Sequence, residues 1–181
     1  MKVESLRDLY LEQLQDLYNA EQQLIKALPK MAKAASSEEL KAAFEEHLEK
    51  TREHARRIET ICEQMGEKVA GKKCKAMEGL VKEGGEVIEE DMEDAIKDAA
   101  LIAAAQRVEH YEIAGYGCVH AYAMKLGDEN AANLLGETLD EEKEADRTLN
   151  DIAEQLDLEV GEAPIQSKKQ TARTPGRRSA A

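Results

Sequence analysis

The chain has 181 residues and a mass of 20.1 kDa, which suits one domain, or one domain followed by a tail. With 38 acidic and 25 basic residues, its net charge of −13 argues against nucleic acid as the main partner, because phosphate binding needs a basic surface. Apolar residues make up 42% and aromatic residues only 3% of a chain rich in Ala, Leu, Glu and Lys, which favours helices and argues against a β-sandwich or barrel.

The N-terminal residues and the cysteines indicate a cellular compartment. The chain becomes charged directly after Met1, without the apolar centre of a signal peptide, and no apolar stretch approaches membrane-spanning length. Its three cysteines are widely spaced, which is typical of reduced thiols and offers neither a disulfide framework nor a zinc-ligand pattern. These features predict a cytoplasmic protein without a membrane partner.

Four long helices are predicted in chain order from apolar residues that repeat at intervals of three and four. The first covers about residues 4–35 and contains Pro29, which is expected to bend or thin its last turns. The second follows two capping serines and ends at Gly66, the third covers about 93–126, and the fourth ends near 157. Between the second and third, a short helical piece is predicted around 74–82, followed by Gly84-Gly85.

The connections distinguish between kinds of helical bundle. Short turns join the first helix to the second and the third to the fourth, so each pair forms an antiparallel hairpin. The long segment 66–92 can run the length of the bundle and make the second and third helices parallel. We therefore predict an all-α fold over residues 1–160, a ferritin-like four-helix bundle with one long crossover connection that contains a short extra helix.

Residues 161–181 are predicted to form a disordered, basic C-terminal tail. From Pro164 onward they include five basic residues and no acidic one, with Thr, Ser, Pro and Gly between them. A solvated tail is the simplest interpretation, and attachment of the acidic body to DNA through the tail is a weaker hypothesis.

Acidic residues occupy inward positions in the middle of the predicted helices. Glu21, Glu109 and Glu142 lie nearest the midpoints of the first, third and fourth helices, and Thr51 takes this place in the second. The midpoints of equal antiparallel helices lie at one level, so the three carboxylates are expected to converge in the core. Buried carboxylates are costly unless they are paired or bind a metal.

Further polar residues lie within one turn of that level on the inward faces. Carboxylates with imidazole in the centre of a four-helix bundle are the ligands of di-iron and di-manganese sites. We therefore predict a dinuclear iron or manganese site. Its candidate ligands are Glu21, His47, His54, Glu109, Glu112, Glu142 and Asp146.

Other interpretations of these residues remain open. Lys50 or Arg107 could neutralise a glutamate, and the two histidines could be satisfied core residues. Glu112 and Asp146 could hydrogen-bond to ligands instead of binding metal. Among the tyrosines, Tyr18 is the best candidate for a redox role because it lies one turn from Glu21; His110 is expected at the surface and His120 in core packing.

The ligand motif is incomplete. Di-iron bundles carry Glu-x-x-His on two helices, because a spacing of three places both side chains on one face. Here Thr51-Arg-Glu-His54 lacks the glutamate and Glu142-Lys-Glu-Ala145 lacks the histidine. His47 or Asp146 could fill the missing positions, at the cost of weak or asymmetric binding.

Several stretches over residues 4–157 resemble the YciE/YciF-type ferritin-like proteins, bacterial stress-associated proteins distantly related to rubrerythrin and ferritin. The stretch in the third helix is the longest and the most specific. The resemblance rests on Asp16-Leu-Tyr-Asn-Ala-Glu21, His47-Leu-Glu49, Cys74-Lys-Ala-Met-Glu-Gly-Leu80, Asp98-Ala-Ala-Leu-Ile-Ala-Ala-Ala-Gln106, Val108-Glu-His-Tyr-Glu-Ile113, Glu137-Thr-Leu139 and Glu141-Glu-Lys143.

The resemblance implies a ferritin-like bundle that usually pairs into a homodimer, and a metal site without an established activity. One departure concerns Lys50, where the family pattern often has glutamate; its cation could reduce metal affinity or extend outward. Two functions follow. The first is a stress protein that oxidises ferrous iron or handles peroxide at a dinuclear site, and the alternative is a non-enzymatic structural stress protein with a vestigial or empty metal site.

Overall fold

The computed structural model describes residues 3–156, and every regular element in that part of the chain is an α-helix. This confirms the predicted all-helical fold class. The helices are α1 (Leu6–Ala34), α2 (Glu38–Gln64), α3 (Lys75–Glu89), α4 (Asp94–Leu126) and α5 (Glu129–Gln155). None of them is both long enough and apolar enough to cross a membrane. The predicted basic tail, residues 161–181, lies outside the described residues.

Local sequence signals set the ends of the long helices. α1 begins with a capping box, in which the Ser5 hydroxyl accepts from the Asp8 amide and the Asp8 carboxylate accepts from the Ser5 amide. Ser37 caps α2. α4 ends at Gly127, whose φ of 77° is a left-handed conformation that glycine adopts readily. Pro29 lies inside α1, which continues to Ala34.

Cross-helix contacts establish the relative directions of three of the four long helices. Arg7 near the start of α1 hydrogen-bonds the carbonyl of Met65, directly after α2, so α1 and α2 are antiparallel. The amides of Ser36 and Ser37, after α1, donate to Asp98 near the start of α4, so α1 and α4 are antiparallel as well. α2 and α4 are therefore parallel. α5 packs along both α4 and α2.

α3 is longer than the sequence predicted. The expected piece at 74–82, broken at Gly84-Gly85, is instead one helix that continues through both glycines to Glu89. A glycine costs up to about 1 kcal/mol in a helix relative to alanine, but here tertiary packing overrides that cost. Gly84 is buried, and a Cβ there would lie 4.0 Å from the Cβ of Ala104. α3 thereby lies close against α4, and it also packs on α1.

The apolar core is divided into two clusters. One includes Leu24, Leu40 and Leu101, and the other includes Leu14, Ile58 and Leu135. Along each long helix, one cluster occupies one half and the other cluster the other half. A layer of buried polar side chains separates them and holds the candidate site.

Candidate metal centre

The polar layer is drawn from all four long helices at one level. Each residue is at most 7% exposed although each side chain carries an ionisable or hydroxyl group, which is unusual for an interior. The layer consists of Glu21 from α1, His47, Thr51 and His54 from α2, Glu109 and Glu112 from α4, and Thr138 and Glu142 from α5.

Potential ligand atoms in this layer form two groups that share one residue. His47, Glu109, Glu112 and Glu142 each offer an atom within 4.8 Å of the others, and so do Glu21, His54 and Glu142. Glu142 belongs to both groups, so the two groups form one continuous set of potential ligand atoms. This buried cluster could hold metal.

The structure brings together six of the seven candidate ligands and leaves Asp146 outside both groups. The Asp146 side chain is 20% exposed, and its Oδ1 lies 3.5 Å from Nε2 of His110 on the surface. Its backbone carbonyl accepts from Gln106. Asp146 is one turn from Glu142, but its carboxylate lies beside His110 and offers no atom to either group of potential ligands.

Many polar atoms of the layer have no hydrogen-bond partner among residues 3–156. Buried polar groups are normally hydrogen-bonded, and one that is left unpaired costs about 1–3 kcal/mol. The unpartnered atoms are Oε2 of Glu21 and Glu109, both carboxylate oxygens of Glu112 and Glu142, both ring nitrogens of His47, and Nδ1 of His54. Their number and their convergence fit a set of oxygen and nitrogen ligands for a metal cation.

His54 is oriented from outside the layer. Its Nε2 lies 2.9 Å from Oε2 of Glu141, while its Nδ1 lies 3.0 Å from Oε1 of Glu142 without hydrogen-bond geometry. Arg57 holds Glu141 through two nitrogens, at 2.5 and 3.2 Å. A proton on Nε2 directed at Glu141 leaves the Nδ1 lone pair facing Glu21 and Glu142, as in metal sites where a carboxylate fixes the histidine tautomer.

The carboxylates around His54 control its protonation in the metal-free protein. Burial lowers the pKa of His54, but Glu141, Glu142 and Glu21 outweigh burial and raise the pKa to about 12. The hydrogen bond to His54 and the ion pair with Arg57 together lower the pKa of Glu141 to about 2. A proton on Nδ1 therefore balances the surrounding negative charge, and a metal cation would replace that proton.

His47 provides the second imidazole of the layer. Its Nε2 lies 3.4 Å from Oε1 of Glu109 and 3.7 Å from Oε2 of Glu142. Burial is the main cause that lowers the pKa of His47, which favours the neutral ring that can act as a ligand. Because His47 lies two turns before His54 on the same face of α2, α2 supplies both histidines. From the sequence, either His47 or Asp146 could have filled the ligand position that the incomplete motif lacks.

The four carboxylates of the layer differ in their preferred protonation. Burial, followed by repulsion from neighbouring carboxylates, raises the pKa of Glu109 and of Glu112 well above the usual range. Burial also raises the pKa of Glu21. For Glu142 burial acts in the same direction, but His54 and His47 outweigh it, and the pKa is lowered. Glu142 is therefore the one of these four carboxylates whose surroundings lower the pKa and favour the ionised form, which is the form that binds a cation.

The tyrosine at the layer is Tyr116, whereas the sequence had favoured Tyr18. The Tyr18 hydroxyl donates to Glu59 at 2.7 Å on an exposed edge of α1 and α2, so it is not part of the site. Tyr116 is fully buried, and its hydroxyl donates to Oε1 of Glu21. Its ring lies edge-on to His54, with ring centroids 6.1 Å apart.

Glu141, Arg57 and Tyr116 contact the layer or its ligands but were not predicted from the sequence as parts of the site. Glu141 directly precedes Glu142, and helical periodicity assigned only Glu142 to the inward face. The sequence signal that could have indicated Glu141 was a second glutamate directly before the predicted ligand Glu142. Arg57, one turn after His54, was the matching signal on α2. Of the cations considered, Lys50 pairs with Glu46 at 2.8 Å and Arg107 is exposed, so neither neutralises a glutamate of the layer.

The two remaining histidines lie outside both groups of ligand atoms. His110 is exposed on α4, as expected. His120 is half-buried, and a Cβ added to Gly136 on α5 would lie 3.6 Å from its ring, which agrees with a packing role.

Comparisons with known proteins agree with the sequence resemblance. A family model described as "Domain of unknown function (DUF892)" matches residues 5–159. The chain is 48% identical to Protein YciF of Escherichia coli strain K12 over 154 residues, which are 84% of this chain and 93% of that protein. The family resemblance of the sequence is thereby confirmed.

Solved structures show the same fold. The crystal structure of the E. coli stress protein YciF matches with a TM-score of 0.81 over 83% of this chain and 96% of that one. YcfI of Rhodopseudomonas palustris, described as a candidate structural protein, is 41% identical with a TM-score of 0.79, over 82% and 95% of the two chains. A two-domain protein of Anabaena variabilis with a ferritin-like domain matches at 17% identity and a TM-score of 0.55, over 98% of this chain and 42% of that one, which shows fold alone.

Proposed function

The chain belongs to the DUF892 family and is a relative of YciF, and on this premise we propose that it is a stress-response protein whose ferritin-like four-helix bundle holds a dinuclear iron or manganese site. The observation that carries the proposal is the pair of ligand groups sharing Glu142. One ion would be held by His47, Glu109, Glu112 and Glu142, and the other by Glu21, His54 and Glu142. Glu141 would orient His54, and Asp146 is not among the proposed ligands.

When bound, iron or manganese would supply electron-transfer chemistry toward dioxygen or peroxide, for which the protein residues alone offer no equivalent. The residues of the chain would separate the ions, exclude water and place protons. Glu141 accepts from Nε2 of His54, and Tyr116 donates to Glu21. The two apolar clusters that flank the layer limit the access of water to it.

Metal stoichiometry tests this proposal directly. We expect two manganese or ferrous ions per chain after anaerobic loading and gel filtration, measured by elemental analysis. Glu142→Gln removes the shared ligand and is expected to lower the content below one ion per chain. Glu144→Gln on the same helix changes an exposed glutamate and serves as the matched control. No bound metal in the unsubstituted protein would exclude the proposal.

A non-enzymatic structural role is the second candidate. One observation favours it: a protonated His54 is in ion-pair range of Glu21, Glu141 and Glu142, so the layer can balance part of its charge without a metal. The described role of the R. palustris relative points the same way. This candidate predicts a melting temperature that is indifferent to iron, manganese and chelators, because a ligand that binds only the folded state must raise the melting temperature.

We also propose a cytoplasmic homodimer, as the family resemblance and the reduced cysteines suggest. Binding of the basic tail to DNA remains the weaker proposal for residues 161–181. DNA retention compared across salt concentrations, with and without residues 164–181, tests it, because phosphate contacts weaken as salt rises.

A further inference from the structure

A small cleft between α2 and α5 runs from the surface to the polar layer. It offers about 40 Å³ of space for water-sized molecules. His47 and Glu109 line its inner end, and Ala145 and Thr148 form its α5 wall. The ion pair of Glu46 and Lys50 lies at its outer side, where both side chains are partly exposed.

The exposure of the candidate ligands shows where the layer opens. Glu21, His54, Glu112 and Glu142 are fully buried, at 0% exposure. His47 is 7% and Glu109 is 3% exposed, and these two residues line the cleft. The cleft therefore leads to the ligand group of His47, Glu109, Glu112 and Glu142, on the side of the two buried ligands that retain slight exposure.

The residue that leaves room for the cleft is Ala145. It lies three positions after Glu142, where a second Glu-x-x-His motif would place an imidazole on the same face of α5. In this chain the second imidazole comes from His47 on α2 instead. The α5 side of that ligand group consequently has a methyl group where a ligand would be, and the space beside it continues to the surface.

We propose that this cleft is the binding place and entry route of a small exogenous oxidant of the size of dioxygen or hydrogen peroxide. The inference rests on the proposed metal centre and deepens it. Room for one water takes about 10–15 Å³ on this measure, so the cleft holds a molecule of two or three heavy atoms and excludes larger organic substrates. Metal sites that react with exogenous ligands keep one position on the metal free of protein ligands. Ala145 offers no ligand on the α5 side of the group formed by His47, Glu109, Glu112 and Glu142, so that position would stay free.

Azide, a linear three-atom anion, is the probe for the test, and cobalt(II) is the probe metal because its visible absorption reports its ligands. The cobalt-loaded protein is titrated with azide and followed by absorption. Ala145→Leu fills the cleft and Ala145→Val fills it partly. Ala153→Leu, at a half-buried alanine of the same helix outside the cleft, is the matched control. Cobalt content and circular dichroism are measured for each variant.

We expect Ala145→Leu to keep its cobalt while its azide affinity falls about tenfold, since the bound anion would have to displace a side chain. The azide affinity of Ala145→Val is expected to lie between those of Ala145→Leu and the unsubstituted protein. Ala145→Val provides the same test if leucine disturbs α5. Equal azide affinity in Ala145→Val and the unsubstituted protein, with equal cobalt content, would overturn the inference and leave the metal centre intact. Failure of the unsubstituted protein to bind cobalt would instead overturn the proposed function.

Discussion

Oε2 of Glu141 lies 2.9 Å from Nε2 of His54, on the opposite edge of the imidazole from Glu142, whose Oε1 is 3.0 Å from Nδ1. Two consecutive residues of α5 thus contact the two nitrogens of one histidine. This fixes the ring with one nitrogen toward the centre of the protein and the other toward Glu141 and Arg57. The pair can keep His54 prepared for metal binding, because Glu141 stabilises the tautomer that a metal needs.

Glu141→Gln is expected to weaken metal binding without removing a ligand. The amide lacks the charge that favours a proton on Nε2, so affinity at the His54 ion should fall about 10- to 100-fold. Manganese or cobalt titration by isothermal calorimetry checks the change. Glu137→Gln, at an exposed glutamate one turn earlier, is the control and should leave the affinity unchanged. Unaltered affinity in Glu141→Gln would contradict an orienting role.

Tyr116→Phe is expected to destabilise the metal-free protein by about 1–3 kcal/mol, because Glu21 would lose a donor while remaining buried. Urea unfolding in the presence of a chelator measures the change. Tyr18→Phe removes a hydroxyl that donates to Glu59 on an exposed edge and should have a smaller effect. Equal effects of the two substitutions would show that the buried hydrogen bond contributes no more to the free energy of unfolding than the exposed one.

The metal-free protein is expected to lose stability as pH rises from about 7 to about 9. The raised pKa of His54 stabilises the folded state by its full amount below pH 6.5, the usual pKa of histidine. This contribution decreases as pH rises from 6.5 toward about 12. Raised pKa values at Glu109 and Glu112 act in the same direction, above their usual value of 4.5. Each proton that only the folded state retains contributes a slope of up to about 1.4 kcal/mol per pH unit.

His47 alters this expectation little, since its lowered pKa favours the neutral ring in the folded state and its usual pKa of 6.5 leaves most of it neutral in the unfolded state above pH 7. Chemical denaturation at several pH values with a chelator measures the slope. Saturating manganese should reverse it, because metal binding displaces the same protons and tightens as pH rises. A flat profile in both conditions would indicate that the layer does not retain protons.

Two glycines of α4 are expected to respond in opposite directions to alanine. A Cβ at Gly115 would lie 2.7 Å from Cδ2 of Leu17, a buried side chain that must move, so Gly115→Ala should destabilise by about 1 kcal/mol or more. Gly117 has no atom within 4 Å of such a Cβ. Gly117→Ala should therefore stabilise the helix by about 0.5–1 kcal/mol. Thermal or urea unfolding of both variants checks the contrast, and stabilisation by Gly115→Ala would contradict the close contact of α1 and α4.

Most of the helical framework could be predicted from local patterns. Periodic apolar residues, the capping serines and Gly127 lie within a few residues of the ends of the helices that they specify. α3 could not be predicted in full, because its continuation through Gly84 depends on contact with Ala104 on α4, which is distant in sequence. Helical periodicity likewise assigned a face to each residue but could not give the direction of each side chain.

The sequence by itself determined that carboxylates and imidazoles occupy the middle of four amphipathic helices, because residue spacing sets the level and the face of each position. Only the tertiary structure decided which of these side chains meet. It brought His47 rather than Asp146 toward Glu109, placed Tyr116 rather than Tyr18 beside Glu21, and set Glu141 behind His54. The physical reason is that the axial rotation and separation of packed helices follow from side chains that are far apart in the sequence.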